Sequence, residues 1–419
     1  MHVFITTYGG AHVALAAPLI RELERRGHRL SVLALTTAGP ACARQGIAHR
    51  RPLEFAELTH PLVQRLGRRL LERHHTDGIG LSVDESIAYL GESYRELVED
   101  LGERPADERY AAQGLNAFFP VRFLTRVLRS IAPEVVVATD SPRMERAALH
   151  AARRLGIPSL CAVSSFPDIG MHYLRQPEHG DVVCVYSDKV RRQFLEVGRD
   201  PACIVVTGNP AWDSLADPAP RAARAAARAE RGLTDDDVVV LWAEQPEPGN
   251  EELPRRVRYE LNRICRENPG WRLLVRLHPS STDPAKEWIP AGALISPRTE
   301  PLLSALHVAD VVVTLTSTVG YEALLLDKPA VIVAISKFSH LVDYSAEEGA
   351  LVIGALEELP EAIRTVATDT PTARLLRENC ARLPRAGGAA GRLADCIEGL
   401  PVRERMVSGA PVHVESQDG

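Results

Sequence analysis

No stretch of this 419-residue sequence is long and apolar enough to span a bilayer, which sets aside an integral membrane protein built on helices. The sequence also lacks a charged leader, apolar core and cleavage site ahead of its first strand-like run, Val3 to Thr7, so a cytoplasmic, soluble protein is expected. A surplus of positive charge is missing as well. The formal net charge is -6, whereas nucleic-acid phosphates require a basic face. The seven cysteines (Cys42, Cys161, Cys184, Cys203, Cys265, Cys380 and Cys396) form no C-x-x-C and no Cys/His pattern with zinc spacing. They read as small buried apolar side chains in a reducing compartment. Aromatic residues are only 5% of the chain, so Ala, Val and Leu must supply the core.

The length exceeds what one hydrophobic core organises, and two domains are expected. The first opens as one βαβ unit: strand Val3 to Thr7, loop Tyr8-Gly9-Gly10-Ala11-His12, helix Val13 to Arg26 and strand His28 to Leu35. Residues 55–128 turn helical, with an apolar period near 3.6, and read as an insertion. Within it Arg65, Arg68, Arg69 and Arg73 flank Leu66, Leu70 and Leu71; a solvated helix face is the reading preferred over peripheral membrane contact. The α/β rhythm returns with strands Glu134 to Thr139, Ser159 to Val163, Val182 to Tyr186 and Ile204 to Thr207, closing a domain over 1–210. Residues 211–236 read as a linker and a solvated helix, since Arg221 to Arg231 holds no β-branched residue. A second α/β series fills 237–400, with strands Val238 to Trp242, Arg272 to Leu277, Val311 to Val313 and Ala330 to Val333. Residues 401–419 lose both periodicities and are expected to be a flexible tail.

Four polar loops in the second half follow strands, where open α/β sheets bind ligands. They are Ala243-Glu244-Gln245-Pro246, His278-Pro279-Ser280-Ser281, Thr314 to Thr318 and Ile335-Ser336-Lys337. Thr316, Ser317 and Thr318 precede a helix, Val319 to Leu326, whose amides and positive end suit phosphate. Glu322, one turn in, is placed to accept from both ribose hydroxyls; the plainer reading is an N-cap at Thr318 and an exposed acid at Glu322. His278, held by Pro279, can donate to a phosphate, or simply end a strand.

Thr207-Gly208-Asn209-Pro210, Arg276-Leu277-His278-Pro279, Ser317-Thr318-Val319-Gly320-Tyr321-Glu322-Ala323-Leu324 and Asp327-Lys328-Pro329-Ala330 resemble the glycosyltransferase-B superfamily. The C-terminal half is similar to UDP-N-acetylglucosamine 2-epimerases and to bacterial capsule-type transferases. The resemblance implies an α/β fold of two Rossmann-like domains facing a cleft, with a nucleotide-sugar donor on the C-terminal domain at Gln245, His278, Pro279, Thr316, Ser317, Thr318 and Glu322. It also implies that the helical insertion carries acceptor specificity. Gln245-Pro246 with His278-Pro279 is similar to transferases that use CMP-sugars, whereas Glu322 in Gly-Tyr-Glu-Ala looks like the ribose-binding acid of UDP-sugar enzymes; UDP is preferred.

Epimerases of this kind place Gly-Thr-Arg-Pro-Glu after the first strand, where this chain has Thr7-Tyr8-Gly9-Gly10-Ala11-His12, a loop similar to that of transferases. The expectation is therefore a glycosyltransferase moving a sugar to a hydroxyl or amine of a small-molecule or glycan acceptor. His12, on the acceptor loop with Gly9 and Gly10, is expected to be the general base, with Asp140 orienting it or replacing it; the alternative is that His12 caps its helix or contacts phosphate. No Asp-x-Asp follows a strand to hold a divalent ion, so neither metal nor cofactor is expected. A nucleotide-sugar 2-epimerase or hydrolase is the second reading, and an inactive nucleotide-binding subunit the third.

Overall fold

Short β-branched runs such as Val135-Val136-Val137 and Val311-Val312-Val313 are buried on both faces, as strands of parallel sheets covered by helices are. The computed structural model describes residues 1–75, 80–278, 289–297, 299–383 and 386–401. The first sheet contains β1 (His2–Thr7), β2 (Arg29–Ala34), β3 (Val135–Thr139), β4 (Ser159–Ala162), β5 (Val182–Val185) and β6 (Ile204–Val206). All pair in parallel, in the order β2-β1-β3-β4-β5-β6. The second contains β7 (Val238–Ala243), β8 (Trp271–Arg276), β9 (Leu294–Ile295), β10 (Val311–Thr314), β11 (Ala330–Val333) and β12 (Ala350–Ile353). Its order, β12-β11-β10-β7-β8-β9, is again parallel throughout. Strand order reverses once in each sheet, between β1 and β3 and between β7 and β10. At such a reversal the outgoing loops splay apart and leave a crevice at the carboxyl edge.

Between β2 and β3 lie the helices Pro61–His74, Val83–Leu101, Glu103–Gln113 and Val121–Ile131. Val63, Leu66 and Leu70 of the first are buried, and its arginines turn to the acidic helix beside it. Arg65 meets Glu103 at 2.7 Å, Arg69 meets Asp107 at 2.7 Å, and Arg69 also covers the Tyr94 ring. That arrangement is the solvated face, laced with ion pairs. Among the described residues no helix is long and apolar enough to cross a membrane.

Two expectations are corrected. The segment read as a solvated helix is docked: Arg228 is 1% exposed and donates to the carbonyls of Val308 and Thr234 at 2.8 Å and to Asp310 at 3.1 Å. Its guanidinium satisfies chain-end carbonyls that would otherwise be buried bare. The second correction concerns the boundary at 400. Helix Ala389–Glu398 packs on the first domain, its Leu393, Ala394 and Ile397 joining Val13, Leu19 and Leu23 in one core. Arg26 fixes it there through Asp395 at 2.7 Å and Glu398 at 2.8 Å. The tail expected from 401 lies outside the described residues except for its first position.

The domains touch through aromatic side chains: Phe166 meets Tyr344 with ring centroids 5.3 Å apart, and Trp212 lies between Tyr186 (5.1 Å) and Tyr321 (5.0 Å). Lys189 reaches across to Glu348 at 2.8 Å.

Candidate functional site

On the first domain the chain leaves β1 through Gly9 and Gly10. A Cβ on Gly9 would stand 2.0 Å from Thr37 Oγ1, and Gly10 has φ +69°, a conformation other residues adopt only with strain. The turn sets His12 in the opening turn of helix Ala11–Arg25. Its Nδ1 lies 2.6 Å from Thr139 Oγ1 at the end of β3, so the contact spans the reversal point of the first sheet. Burial holds the imidazole below its ordinary pKa; Asp140 opposes that shift and Arg143 adds to it. His12 is thus directed at Thr139 and does not serve as a helix cap.

Asp140 makes no hydrogen bond to His12. Its Oδ1 is 4.0 Å from His12 Nδ1 and instead accepts from Ser164, from the hydroxyl at 2.6 Å and the amide at 3.1 Å. The group that does reach toward His12, through Thr139, is Glu145, which sequence reasoning did not single out. Glu145 is 0% exposed, and its Oε2 accepts from the Thr139 hydroxyl at 2.9 Å. Burial pushes its carboxyl up to about 8. A signal was present: Glu145, Ala148, Leu149 and Ala152 share the inward face of helix Met144–Leu155, at spacings of 3, 4 and 7. An acid on an apolar stripe is a buried acid.

Beside this network Tyr8, Thr37, His74, Tyr89, Leu115 and Arg143 line a cavity of about 200 Å³ between the strand-end loops and the helical insertion. Tyr8 bonds Tyr89 through the hydroxyls at 2.7 Å, lies under Arg143 at 4.8 Å, and meets the His12 ring edge-on. Arg143 has φ +73°, a backbone strain that a non-glycine residue keeps only where its surroundings enforce it.

The second domain repeats the arrangement. Gln245, past β7, donates to Thr316 Oγ1 at 2.6 Å and accepts from the Thr316 amide at 2.9 Å, a two-point clamp across the reversal between β7 and β10. Ser317 accepts at its carbonyl from Tyr344 at 2.6 Å, and the Tyr344 oxygen accepts from the Tyr321 amide at 2.9 Å. Thr318 occupies the N-cap of helix Val319–Leu325, with no side-chain cap bond. Glu247, past β7, accepts from Ser336, past β11, at 2.8 Å, tying a third loop into the edge. Glu322 is half-buried beside Arg276; burial raises it to about 7 against the pull of that guanidinium. His278 stands two residues past β8, half-buried at the same edge. Pro279 lies outside the described residues. Gln245, Thr316, Ser317, Thr318 and Glu322 are therefore gathered at one sheet edge and His12 with Asp140 at the other. Among the described residues no three His, Cys, Asp or Glu side chains converge as metal ligands do.

No protein-family model matches the sequence, and no curated protein matches it. Solved structures do. The UDP-GlcNAc 2-epimerase of Neisseria meningitidis bound to UDP-GlcNAc superposes with a TM-score of 0.59 at 13% identity, over 94% of this chain and 99% of that one. The glycotransferase of kitacinnamycin gives 0.57 at 17% identity, over 95% and 98%. The spinosyn rhamnosyltransferase SpnG complexed with thymidine diphosphate gives 0.54 at 13%, over 94% and 100%. Such identities speak to architecture, and the architecture agrees along nearly the whole length of each chain. Two parallel six-stranded sheets, each with its loops at one carboxyl edge, give this chain the glycosyltransferase-B fold.

Proposed function

We propose that the chain is a glycosyltransferase that moves a sugar from a nucleotide-activated donor, preferably a UDP-sugar, to a hydroxyl or amine acceptor without a metal ion. The observation that carries this reading is the pairing of two built edges, the Gln245–Thr316 clamp on one domain and a half-buried, neutral-leaning His12 beside a cavity on the other. A donor-only enzyme needs a base too, but no separate cavity for an acceptor beside it. The donor phosphates sit over Thr316 to Thr318 and the ribose against Glu322, while the acceptor enters the cavity at Tyr8 and Arg143. In an inverting transfer, His12 Nε2 takes the proton of the acceptor hydroxyl as its oxygen bonds to the sugar's anomeric carbon. The bond from that carbon to the nucleotide diphosphate breaks, and hydroxyls and amides of the Thr316 loop stabilise the departing charge.

The likeness to the Neisseria meningitidis UDP-GlcNAc 2-epimerase bound to UDP-GlcNAc favours a second reading, turnover of the donor with no acceptor. Incubation with UDP-, CMP- and dTDP-sugars without acceptor separates the two. Epimer or free sugar at enzymatic rates sinks the transferase. A thermal-shift screen with the free nucleotides, which raise the melting temperature only if the folded state binds them, identifies the donor base.

A further inference from the structure

We propose that Glu145, acting through Thr139, decides which ring nitrogen of His12 carries the proton, and so whether His12 meets the cleft as an acceptor or as a donor of protons. The inference rests on the reading of His12 as the base, and it concerns a side chain that touches no substrate; Glu145 is a positioning residue.

Thr139 has a single hydroxyl proton and two close neighbours, His12 Nδ1 at 2.6 Å and Glu145 Oε2 at 2.9 Å. An ionised Glu145 can only accept, so the Thr139 proton points to it. The lone pairs of Thr139 then face Nδ1, which must carry a hydrogen. Nε2, the nitrogen not engaged by Thr139, is left bare and able to take a proton from an acceptor. When Glu145 is protonated and donates to Thr139, the hydroxyl turns its own proton to Nδ1. The ring hydrogen is then on Nε2, and the imidazole no longer serves as a base there. Thr139 Oγ1, His12 Nδ1 and Glu145 Oε2 each keep a partner in both states, so the switch strands none of the three.

The carboxyl is pushed to about 8 by burial, so it changes state near neutrality. His12 is held below its ordinary value, and over this range its tautomer changes while its charge does not. Several titratable groups face Glu145 from the elements around it. Tyr8, Tyr89, Tyr173 and Cys161 are all raised by burial and remain neutral. Asp140 opposes ionisation of Glu145 but accepts from Ser164, while Arg143 is raised, against the pull of burial, by Tyr89 and Tyr8 and then by Glu145. The other polar atoms near His12 Nδ1 are farther off than Thr139: Ser164 Oγ at 3.4 Å, Glu145 Oε2 at 3.8 Å and Asp140 Oδ1 at 4.0 Å.

The test is nitrogen NMR on the full chain with ¹⁵N-labelled histidine, His12 being assigned by its loss in His12→Gln. The wild type should show the Nδ1–H form at about pH 9 and convert to Nε2–H as pH falls through about 8. In Glu145→Gln the Thr139 amide, 3.4 Å from Oε1, holds the side-chain oxygen, and the amide nitrogen donates to Thr139. The Nε2–H form should then persist at every pH. Thr139→Val should uncouple the tautomer from pH, and Thr139→Ser should restore the coupling. A wild-type tautomer that does not change across this range overturns the proposal without recourse to any variant, and so does a Glu145→Gln protein that titrates like the wild type. In turnover, kcat/KM should fall about tenfold for each pH step below the Glu145 transition and lose that limb in Glu145→Gln. A tautomer that switches while turnover ignores it leaves the relay standing and removes His12 from the role of base.

Discussion

Glu322 and His12 face the cleft from opposite sheets, and substitutions at them should have opposite signatures. Glu322→Ala should weaken nucleotide binding by about 1 to 3 kcal/mol, the scale of hydrogen bonds to a charged acceptor. Because burial raises its carboxyl to about 7, the accepting, ionised form gains as pH rises through that value. Calorimetric affinity for UDP should therefore strengthen with pH in the wild type and stay level in Glu322→Ala. His12→Ala should instead cost roughly 10²- to 10⁴-fold in turnover with nucleotide affinity nearly intact, read by single-turnover kinetics with calorimetry alongside. At this scale the sequence disclosed residue types and loop positions: Gln245, Thr316 and His12 stand where a strand followed by a polar loop put them. It did not disclose partners. Asp140 and Glu145 are both acids just past β3, and only the fold decides that Ser164 occupies the first while Thr139 links the second to His12.

Elements were legible where the pattern was long. The parallel strands could be read because runs such as Val135 to Val137 leave no polar face for water. The segment Arg221 to Arg231 misled because Ala and Arg in alternation look solvated, while the structure threads one arginine inward to collect carbonyls. Replacing Arg228 by Leu strips donors from buried oxygens and should lower stability by about 3 to 5 kcal/mol, measured by urea denaturation. A loss under 1 kcal/mol would mean that water takes over those carbonyls. The helix after Thr318 has seven residues, so on the proposed donor site hydroxyls and the Gln245 clamp would carry more of the phosphate recognition than the helix end. Breaking the clamp with Gln245→Ala should loosen nucleotide binding more than Thr318→Ala does, in the same titration.

Across the whole molecule, the chain passes between domains twice, once near Pro210 to Ala216 and again between helices Pro371–Cys380 and Ala389–Glu398. Trp212, between Tyr186 and Tyr321, sits on the first crossing and makes a natural pivot. Nucleotide should draw the domains together, and small-angle scattering should show a smaller radius of gyration on adding UDP. An unchanged profile would indicate a cleft already formed. The two-domain plan was readable from the repeated α/β rhythm, but the second crossing was not. A short amphipathic helix such as Ala389–Glu398 suits either core equally well, and sequence order favoured the wrong one.

That helix fixes the order in which the protein can mature. Leu393, Ala394, Ile397 and Leu400 complete the first domain's core, yet the ribosome adds them after the whole second domain. Until they emerge, the face of helix Ala11–Arg25 that packs on Ala389–Glu398 is uncovered, and the earlier-made half waits on the later one. Covering that surface is worth on the order of 5 kcal/mol, close to the entire stability of a domain. A chain stopped at residue 383 should fail to give a cooperative melt for its first half, while the full chain melts as one unit. Proofreading by quality control would follow from the same wiring: a nascent chain truncated anywhere leaves an exposed apolar surface at its beginning for chaperones and proteases to find.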